Sequence, residues 1–571
     1  MLNRFTASLA AMLLLAGCAT APSSLVPPQA AAPVQGTVSA ADPRAAEAGM
    51  AMLRAGGSAT DAAIATMLAL TVVEPQSSGI GGGGFLVRGA ADGDVDTLDG
   101  RETAPAAATP DWFLDADGQP RPYGEVVGTG LSIGVPGNIA LAAEAHRKWG
   151  KLPWARLFQP AIALARDGFQ VNKRLHDYLT DPDSRAHNTV EGRALYRDAA
   201  GNVPAIGERV TNPALAETLA RIAEGGAEVF YRGPLAEDIA ATVRAATPRP
   251  NGMTVADLAA YEAEERPPVC GFYRAYRVCG MGPPSSGGIA VLQILGALER
   301  FELAALGLRN PVTWHLFVEA QRLAYADREL YVADSDFVPV PVAGLTDPSY
   351  IARRSALISP DSRLAKVEAG QPAGGVPRAD GDEPAERGTS HFAVADGAGN
   401  MVSYTSTIEG PFGSGLAYGG FYLNNELTDF SFSPERGGMP VANRVEGGKR
   451  PRSSMAPTIV YDPDGRPFLA VGAAGGPTIP VQTARAIVGI IDFGLSAREA
   501  LGLPFLMASG DTLMVERGTW LADAAPQLKA LGHGTIVERA APLKANAVIR
   551  TSEGWVPAAD PRLDAAVTVA G

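Results

Sequence analysis

The chain has 571 residues, with 48 Lys or Arg against 61 Asp or Glu, and a formal net charge of −13. Hydrophobic residues make up 46% and charged residues 19%, which indicates a globular protein with a sizeable core and excludes a disordered chain. Because the chain is acidic and has no basic block, nucleic acid is not expected as a partner. Its 65 glycines and 45 prolines indicate many turns and argue against a helical bundle.

The N-terminal segment is typical of an exported lipoprotein. Residues 9–15 are apolar but too few to span a bilayer, as in a secretory leader. The sequence LAGC, which ends at Cys18, resembles the lipobox of bacterial lipoproteins, and Ala19 resembles the residue that directs sorting to the outer membrane. We expect residues 1–17 to be a signal peptide and Cys18 to carry the lipid, so that the protein is periplasmic and bound to the membrane through its lipid anchor only. The alternative is a plain signal peptide. Residues 18–36 are expected to be a flexible tether.

The other two cysteines, Cys270 and Cys279, flank a β-rich run. If Arg274 and Ala275 form a two-residue turn, the cysteines lie opposite each other in a non-hydrogen-bonded pair, with Cα atoms about 4.5 Å apart. An oxidising compartment favours a structural disulfide over two free thiols. No CxxC or HExxH spacing is present, so no metal site is expected.

Apolar periodicity predicts the first elements of the chain. Two helices are expected at 43–56 and 59–73. Four glycines follow at 81–84, but no GKS, GKT or GxGxxG pattern accompanies them, so we interpret them as close packing beneath a site and not as a phosphate loop. The remaining predicted elements are strands at 85–88 and 95–98 and helices at 138–168, 213–245, 287–302, 311–332 and 480–508.

The character of the chain changes near residue 389. A polar segment rich in Gly and Pro, residues 369–387, indicates an exposed loop. From Thr389 onward, strand-like runs are joined by Asp-Gly turns. Alternating helical and sheet blocks, without a GxSxG nucleophile elbow, indicate layered α and β structure.

One predicted hairpin brings two threonines together. The sequence DGAGN at 396–400 is a turn, and both flanks are typical of strands. With Ala395 and Met401 as the closing pair, Thr389 lies directly opposite Thr407 on the same face. Facing threonines are usually only strand formers, so this register alone assigns no function.

The segment TSHFAVADGAGNMVSYTSTIEGPFG, which starts at residue 389, resembles the signature of the γ-glutamyltranspeptidases (glutathione hydrolases), a family of N-terminal nucleophile hydrolases. The resemblance extends over nearly the whole chain after the leader. Further matching motifs occur in order: SGIGGGGF near 80, DGRETAP near 100, IGVPG at 133–137, PPSSGG at 283–288, EAQRLAYADR at 319–328, NNELTDF at 424–430, KRPRSSMAPTIV at 449–460, GAAGGP at 472–477 and AADPR at 558–562.

The resemblance implies that the precursor cuts itself between Gly388 and Thr389. A threonine hydroxyl needs a neighbouring base to act as a nucleophile. Cleavage frees the Thr389 α-amine, whose intrinsic pKa near 8 allows it to serve as general base for the hydroxyl of the same residue. Thr407 matches the threonine that hydrogen-bonds the nucleophile. His391 is interpreted as a packed strand histidine and not as the base.

The resemblance also assigns the rest of the site. Gly475 and Gly476 precede a helix and match the backbone N–H donors of an oxyanion hole. Arg101 is implied to bind the α-carboxylate of the γ-glutamyl group, and Glu426 and Asp429 its α-ammonium. The remaining implied substrate-binding residues offer hydroxyl donors or a further acceptor: Ser453, Ser454 and Glu409.

The expected fold is α+β, a four-layer αββα sandwich of the N-terminal nucleophile hydrolase type. Residues 37–388 would form the large subunit and 389–571 the small subunit of one intertwined heterodimer. The expected activity is hydrolysis or transfer of the γ-glutamyl group of glutathione and related compounds through a γ-glutamyl–Thr389 ester, with water, an amino acid or a dipeptide as acceptor and without a cofactor. Residues 430–452, a lid in several bacterial relatives, are short here and lack tyrosine; we expect a more open site, which would favour water over an acceptor amine or admit bulkier donors.

Three alternatives stay open. An acylase of the same fold, acting on glutaryl groups as cephalosporin acylases do, has substrates without an α-ammonium, so Glu426 and Asp429 argue against it. A glutamyl-binding lipoprotein that never processes would remain one uncut chain. A serine-type hydrolase would need a nucleophile elbow, which the sequence lacks, and would stay active after Thr389→Ala.

Overall fold

Two six-stranded antiparallel sheets lie face to face in the computed structural model of the protein, which describes residues 36–376, 378–381, 388–541 and 544–567. The first sheet combines strands from both sides of the Gly388–Thr389 peptide bond. In spatial order these strands are Thr37–Ala40, Ser390–Ala395, Met401–Thr407, Gly83–Gly89, Val95–Gly100 and Glu264–Arg266.

The second sheet is also built from both parts of the chain. Its strands in spatial order are Gly554–Ala559, Lys544–Thr551, Pro467–Ala474, Thr458–Tyr461, Tyr276–Gly280 and Val269–Tyr273. Each large sheet therefore needs strands from before and after residue 388, as expected of two intertwined subunits. Shorter strands form small sheets elsewhere: Phe169–Gln170, Arg209–Val210, Ala417–Tyr418, Phe421–Tyr422, Glu435–Arg436, Met439–Pro440, Leu506–Ser509, Thr512–Glu516 and Thr535–Arg539.

Helices account for most of the remaining regular structure. The described α-helices are Pro43–Arg54, Ala59–Val73, Tyr123–Val126, Asn138–Trp149, Trp154–Asp167, Lys173–Thr180, Val190–Tyr196, Pro213–Gly225, Glu228–Tyr231, Pro234–Ala245, Val255–Ala259, Gly287–Leu298, Leu303–Leu306, Pro311–Tyr331, Val342–Leu345, Pro348–Ser355, Ile479–Ile491, Ala497–Leu501, Trp520–Asp523, Ala525–Ala530 and Arg562–Val567. Short 3₁₀ turns lie at Gly130–Ser132, Arg185–His187, Glu426–Asp429 and Gly476–Thr478.

The layers follow from the alternation of side chains along the strands. In Ser390–Ala395, Val394 packs into the core formed with the outer helices, whereas its neighbour Ala393 packs into the core between the sheets. Helix Ala59–Val73 covers the outer face of the first sheet, and helices Gly287–Leu298 and Ile479–Ile491 cover the second. The chain is thus an αββα sandwich, and the predicted fold is confirmed.

Polar contacts join the two sheets as well. The Ser403 hydroxyl in the first sheet donates to the Val471 carbonyl at 3.1 Å and accepts from the Thr458 N–H at 3.0 Å. Each of these groups is buried, so the pairing satisfies backbone that would otherwise lose its hydrogen bonds to water. These bonds fix one sheet against the other near the first strands of the predicted small subunit.

The predicted elements agree with the structure over most of the chain, with one clear exception. The two opening helices begin after capping side chains, Asp42 and Ser58, as helix chemistry requires. The helix predicted over 480–508 is wrong at its end, because Leu506–Ser509 is a strand paired with Thr512–Glu516. Residues 502–504, Gly-Leu-Pro, end the helical part, since neither glycine nor proline supports a helix interior.

The cysteine hairpin has the predicted register. Cys270 lies opposite Cys279, with Cα atoms 4.1 Å apart and a disulfide between them. Arg274 and Ala275 form the two-residue turn, with φ of 49° and 68°.

In the described part of the chain, no helix is both long and apolar enough to cross a membrane. Residues 1–35 lie outside the described residues, so the leader, the lipidation of Cys18 and the tether remain predictions.

Candidate active site

The Gly388–Thr389 peptide bond lies at the start of a central strand of the first sheet. The hairpin that follows closes with Ala395 opposite Met401, and the pairing continues to Ser390 opposite Ser406. One step further along this register, Thr389 faces Thr407, as the turn prediction required. Thr389 and Thr407 are 5% and 2% exposed, so both hydroxyls act in a site largely shielded from solvent.

Both threonine hydroxyls converge on the carbonyl of Gly388. The Thr389 hydroxyl donates to this oxygen, and Thr407 Oγ1 lies 3.3 Å from it. Thr407 Oγ1 in turn accepts the Glu409 N–H at 2.8 Å, which leaves its single proton for the Gly388 carbonyl. The arrangement places a hydroxyl next to the bond it would attack and a second donor on the oxygen that would gain charge.

Gly388 fits because it has no side chain. A Cβ at this position would lie 2.0 Å from the Glu409 carbonyl oxygen and 3.0 Å from the Glu409 carbonyl carbon. Glu409 itself has a φ of 67°, a left-handed conformation that is uncommon for a residue other than glycine. The backbone of Glu409 is therefore pressed against the Gly388–Thr389 peptide bond, and no larger residue fits at position 388 without moving that backbone.

A buried ion pair lies behind Thr389. Lys544 Nζ is 2.9 Å from the Thr389 carbonyl oxygen and 2.8 Å from Glu74 Oε2. The Ser390 hydroxyl donates to the same Glu74 oxygen at 2.6 Å. Burial lowers the pKa of Lys544 to about 7, against the attraction of Glu74. Burial opposes ionisation of Glu74, but Lys544 and Arg174 outweigh it and lower the pKa of the carboxyl.

His391 has no access to the nucleophile. Its Nδ1 lies 2.9 Å from Thr405 Oγ1, and the ring packs against Gly472 of the second sheet, where an added Cβ would come within 2.5 Å of it. Complete burial lowers the pKa of His391 to about 3, so the ring is neutral. The prediction that this is a packed strand histidine is confirmed.

The charged residues assigned to substrate form one buried cluster. The Arg101 guanidinium, 1% exposed, pairs with Glu426 and with Asp429 Oδ2 at 2.5 Å. It also donates to the carbonyl oxygens of Pro451 and Arg452 at 3.2 and 3.0 Å. The structure thus brings the predicted carboxylate-binding and ammonium-binding groups into direct contact with each other.

Glu102 adds a third carboxyl group to this cluster. Its Oε2 lies 3.9 Å from Arg101 Nη1. Burial raises the pKa of Glu102 to about 8, although Arg101 opposes the shift. Glu102 therefore resists ionisation near neutral pH, whereas Glu426 and Asp429 are in direct contact with Arg101.

The hydroxyl residues and Glu409 lie around the same region. Ser454 Oγ accepts from Arg328 Nη2 at 2.6 Å. Ser453 Oγ accepts from the Met455 N–H at 3.1 Å, and the Ser453 carbonyl accepts from Ser286. The Glu409 carboxylate accepts a hydrogen bond from the side-chain amide of Asn425.

Gly475 and Gly476 occupy the turn between strand Pro467–Ala474 and helix Ile479–Ile491. Their φ values of 122° and 55° are allowed for glycine and strained for other residues. Ala474, the residue before them, pairs in the second sheet with Lys544, whose ammonium contacts the Thr389 carbonyl. The glycine turn therefore adjoins the strand pair whose lysine reaches the nucleophile, and it precedes a helix N-terminus.

A cavity of about 950 Å³ opens beside these groups. Its wall includes Pro477, next to the glycine turn, and Arg328 and Glu329 on helix Pro311–Tyr331. Glu329 also pairs with Arg452, whose carbonyl accepts from Arg101. The cavity wall therefore includes neighbours of the glycine turn and of Ser454, which accepts from Arg328, but neither the two glycines nor the two serines themselves.

Among the described residues, one cluster has metal-ligand types at close range: His315, Glu319 and His533. These side chains already have protein partners. His315 Nδ1 lies 2.8 Å from His533 Nε2. The Glu319 carboxylate oxygens accept from Arg322 at 2.8 Å and from the Leu364 N–H at 2.7 Å. The cluster serves as a hydrogen-bonded tie between helix Pro311–Tyr331 and neighbouring loops, and nothing in it requires a cation.

The sequence reasoning missed several side chains that support the site. These are Glu74, Arg328, Asn425, Arg452 and Lys544. Of these, Lys544 carried a usable signal, since it is a lone cation beside an otherwise apolar strand-like run, ANAVI. The others are ordinary in sequence, and only contacts from distant segments distinguish them.

Known proteins resemble this chain over most of its length. Residues 45–570 match the family model described as gamma-glutamyltranspeptidase. A glutathione hydrolase proenzyme of Bacillus subtilis is 38% identical over 510 residues, which cover 87% of this chain and 85% of the relative. The glutathione hydrolase proenzyme of Escherichia coli is 36% identical over 553 residues, covering 92% and 90%.

A solved structure shows that the similarity includes the fold. The cephalosporin acylase of Bacillus halodurans superposes with a TM-score of 0.81 at 30% sequence identity, covering 95% of this chain and 98% of that one. The sequence matches and the superposition span both parts of the αββα sandwich. On these grounds the chain belongs to the γ-glutamyltranspeptidase family.

Proposed function

We propose that Thr389 cuts the chain before itself and that the resulting enzyme cleaves the γ-glutamyl amide bond of glutathione and related compounds. The observation that carries this proposal is the convergence of the Thr389 and Thr407 hydroxyls on the Gly388 carbonyl. Family membership supports the γ-glutamyl donor and the production of two subunits from one proenzyme.

Processing follows from the contacts at this bond. Thr389 Oγ1 attacks the Gly388 carbonyl carbon, the C–N bond breaks, and the hydroxyl proton passes to the departing nitrogen. The product is an ester at Oγ1 with a free α-amine. Water then hydrolyses the ester, leaving a carboxylate on Gly388 and restoring the Thr389 hydroxyl. Thr407 donates to the oxygen that gains charge in the first step.

Turnover uses the same hydroxyl after cleavage. The neutral α-amine of Thr389 takes the hydroxyl proton while the oxygen attacks the γ-carbonyl carbon of the donor. The amide C–N bond breaks, its nitrogen leaves protonated, and a γ-glutamyl ester remains on Thr389. Water, or the amine of an amino acid or dipeptide, then attacks the ester and releases glutamate or a new γ-glutamyl amide. The N–H groups of Gly475 and Gly476 are proposed to stabilise the oxyanion.

The buried charge cluster supplies the selectivity for a γ-glutamyl head. Arg101 is proposed to bind the α-carboxylate, and Glu426 and Asp429 the α-ammonium. Because these protein groups are paired with each other before substrate binds, a zwitterion can insert one charge opposite each partner without leaving a buried charge unpaired. Ser453, Ser454 and Glu409 are proposed to complete the polar contacts.

An acylase acting on a glutaryl group is the competing function within the same fold, and proteins named cephalosporin acylase and acylase ACY 1 proenzyme are among those similar to this chain. A glutaryl group has the γ-carbonyl and a chain of the same length but no α-ammonium. It would leave Glu426 and Asp429 without a substrate cation, so the cluster favours the γ-glutamyl donor.

The lid segment bears on the choice of acceptor. In residues 430–452 the strands Glu435–Arg436 and Met439–Pro440 form a short hairpin, and the segment contains no tyrosine. We propose that this leaves the site open and favours hydrolysis over transfer. The ratio of glutamate to γ-glutamyl dipeptide formed with a dipeptide acceptor measures this preference.

We also propose that the protein is exported and lipid-anchored. The LAGC sequence supports cleavage after residue 17 and lipidation of Cys18, and the Cys270–Cys279 disulfide fits an oxidising compartment. Labelling with a radioactive fatty acid in a bacterial host tests this, with Cys18→Ala as the control that should take up no label.

The decisive experiment is N-terminal sequencing of the fragments of the purified protein, followed by assay with glutathione. The expected result is a small fragment that begins Thr-Ser-His and an enzyme that releases glutamate. Thr389→Ala should remain one chain without turnover. An uncut wild-type chain that binds glutamyl compounds without turnover would favour a binding protein, and faster release from a glutaryl donor would favour an acylase.

A further inference from the structure

We infer that Lys544 is a positioning residue for Thr389. Its ammonium holds the Thr389 carbonyl in place, and its charge keeps the freed α-amine in its neutral, basic form. The inference rests on the proposed function, because it needs Thr389 as an N-terminal nucleophile. It adds to the site a charged residue that the second sheet holds against the backbone of Thr389.

Lys544 reaches Thr389 across the interface between the two sheets. It begins strand Lys544–Thr551, opposite Ala474 in the second sheet. Its ammonium contacts three acceptors: the Thr389 carbonyl oxygen at 2.9 Å, Ser390 Oγ at 2.9 Å and Glu74 Oε2 at 2.8 Å. An ammonium has three N–H donors, so every one is used, and the side chain is held in a single geometry.

Burial makes this contact strong. Lys544 is 2% exposed and Glu74 is fully buried, so solvent screens neither charge. The Ser390 hydroxyl accepts from Lys544 and donates to Glu74, which closes a ring of hydrogen bonds directly after the nucleophile. The carbonyl of Thr389, and with it the direction of the backbone that carries Oγ1, is therefore fixed by a charged donor.

The charge also acts on the α-amine that cleavage creates. In any residue the α-nitrogen and the carbonyl oxygen are close, so the Lys544 ammonium lies within roughly 6 Å of the future amine. An α-amine with a pKa of about 8 is largely protonated at neutral pH and cannot accept a proton. A cation at this range lowers the pKa of a neighbouring amine and so raises the fraction of the neutral base.

Three other charged groups surround Lys544. Glu74 is in contact with it and Asp42 is also near, and both favour its charged form. Arg174, 3.6 Å from Glu74 Oε1, disfavours that form and offsets part of the negative charge. Burial lowers the pKa of Lys544 to about 7, so its ammonium, which is in direct contact with Thr389, acts on the amine at and below neutral pH, where the acid limb of the rate lies.

The test compares three variants with the wild-type chain. Lys544→Met removes the cation, and Lys544→Arg keeps a positive charge. Arg274→Met is the matched control, because Arg274 pairs with the partly buried Asp492 at 3.1 Å at the turn of the cysteine hairpin, away from Thr389. For each, the rate of self-cleavage is followed on denaturing gels, kcat is measured against pH with a γ-glutamyl anilide, and thermal unfolding is recorded.

We expect Lys544→Met to cleave itself at least tenfold more slowly, by an order-of-magnitude estimate of about one pKa unit. The acid limb of its kcat profile should move up by about one pH unit, because loss of the cation raises the pKa of the α-amine. Lys544→Arg should recover most of that shift. Arg274→Met should keep the wild-type cleavage rate and acid limb even if its unfolding temperature falls. If Lys544→Met does not fold, Lys544→Met/Glu74→Gln removes both charges and should still cleave about tenfold more slowly.

Two results would overturn the inference. The first is a Lys544→Met variant whose cleavage rate and acid limb both match those of the wild type. A double variant that cleaves at the wild-type rate would have the same meaning. The other is a loss of activity in Lys544→Met that only parallels a loss of stability, with an unmoved acid limb and an equal loss in Arg274→Met. A wild-type chain that stays uncut, or is cut but releases no glutamate, refutes the proposed function instead.

Discussion

Replacing Thr407 with valine tests the processing geometry directly. Valine has nearly the same shape as threonine, so Thr407→Val removes the donor to the Gly388 carbonyl and the acceptor for the Glu409 N–H without opening a cavity. Because the site is buried, replacing either hydrogen-bond partner by water costs free energy. The expected result is a chain that folds but processes slowly.

The size of the effect follows from the geometry. Loss of one donor to a developing oxyanion costs about 2.7–4 kcal/mol, or roughly 10²–10³ in rate. The separation of 3.3 Å between Thr407 Oγ1 and the Gly388 oxygen is long for a hydroxyl donor, so the lower end applies. We therefore expect self-cleavage to slow by about 100-fold, which corresponds to about 2.7 kcal/mol in the activation free energy. Loss of the acceptor for the Glu409 N–H adds a stability cost of about 1–3 kcal/mol.

The assay is a time course of precursor and fragments on denaturing gels, started from freshly purified or refolded chain. Thr405→Val is the matched control, because it removes a buried hydroxyl two residues away on the same strand, where the partner is His391. Thr407→Ser keeps the hydroxyl and should process at close to the wild-type rate. Equal cleavage rates in Thr407→Val and Thr405→Val would refute the role of Thr407 as the donor to the scissile carbonyl.

Three further predictions concern other parts of the molecule. Gly388→Ala should abolish self-cleavage while leaving a folded precursor, because its Cβ would collide with the Glu409 carbonyl and displace the scissile bond; a gel and a circular dichroism spectrum check this. Asp429→Asn should raise KM for glutathione by roughly 10–100-fold, the effect of about 1.5–3 kcal/mol for a buried charged hydrogen bond, and should change KM for a glutaryl donor far less. Replacing Cys270 and Cys279 by serine should lower the unfolding free energy by roughly 2–3 kcal/mol, since the bridge closes a short loop, and should leave kcat unchanged; denaturant unfolding and the glutathione assay measure both.

Local chemistry explains why much of the fold could be predicted. The five-residue turn at 396–400 sets the register of its hairpin, and that register places Thr389 opposite Thr407 in the structure as it did in the sequence. The same holds for the turn at Arg274 and Ala275, which sets Cys270 opposite Cys279. A strand has a period of two, so a correct turn fixes every facing pair.

Prediction failed where neighbours in space outweigh neighbours in sequence. Helical character in residues 480–508 gives way to strand Leu506–Ser509, because that segment pairs with Thr512–Glu516 and buries its apolar side chains. Propensity within a short apolar run does not distinguish a buried strand from a buried helix. Pairing with strand Thr512–Glu516 therefore decides that this segment is a strand and not a helix.

The sequence by itself determined the family and the hairpin that carries both threonines, and it located the proposed nucleophile and cleavage site, because these depend on residues close together in the chain. Only the tertiary structure decided that Arg101 pairs with Glu426 and Asp429, and that Lys544, far along the chain in the other sheet, reaches the Thr389 carbonyl. The physical reason is that a buried charge is stable only beside a partner, and the packing of two sheets, which no local pattern encodes, selects that partner.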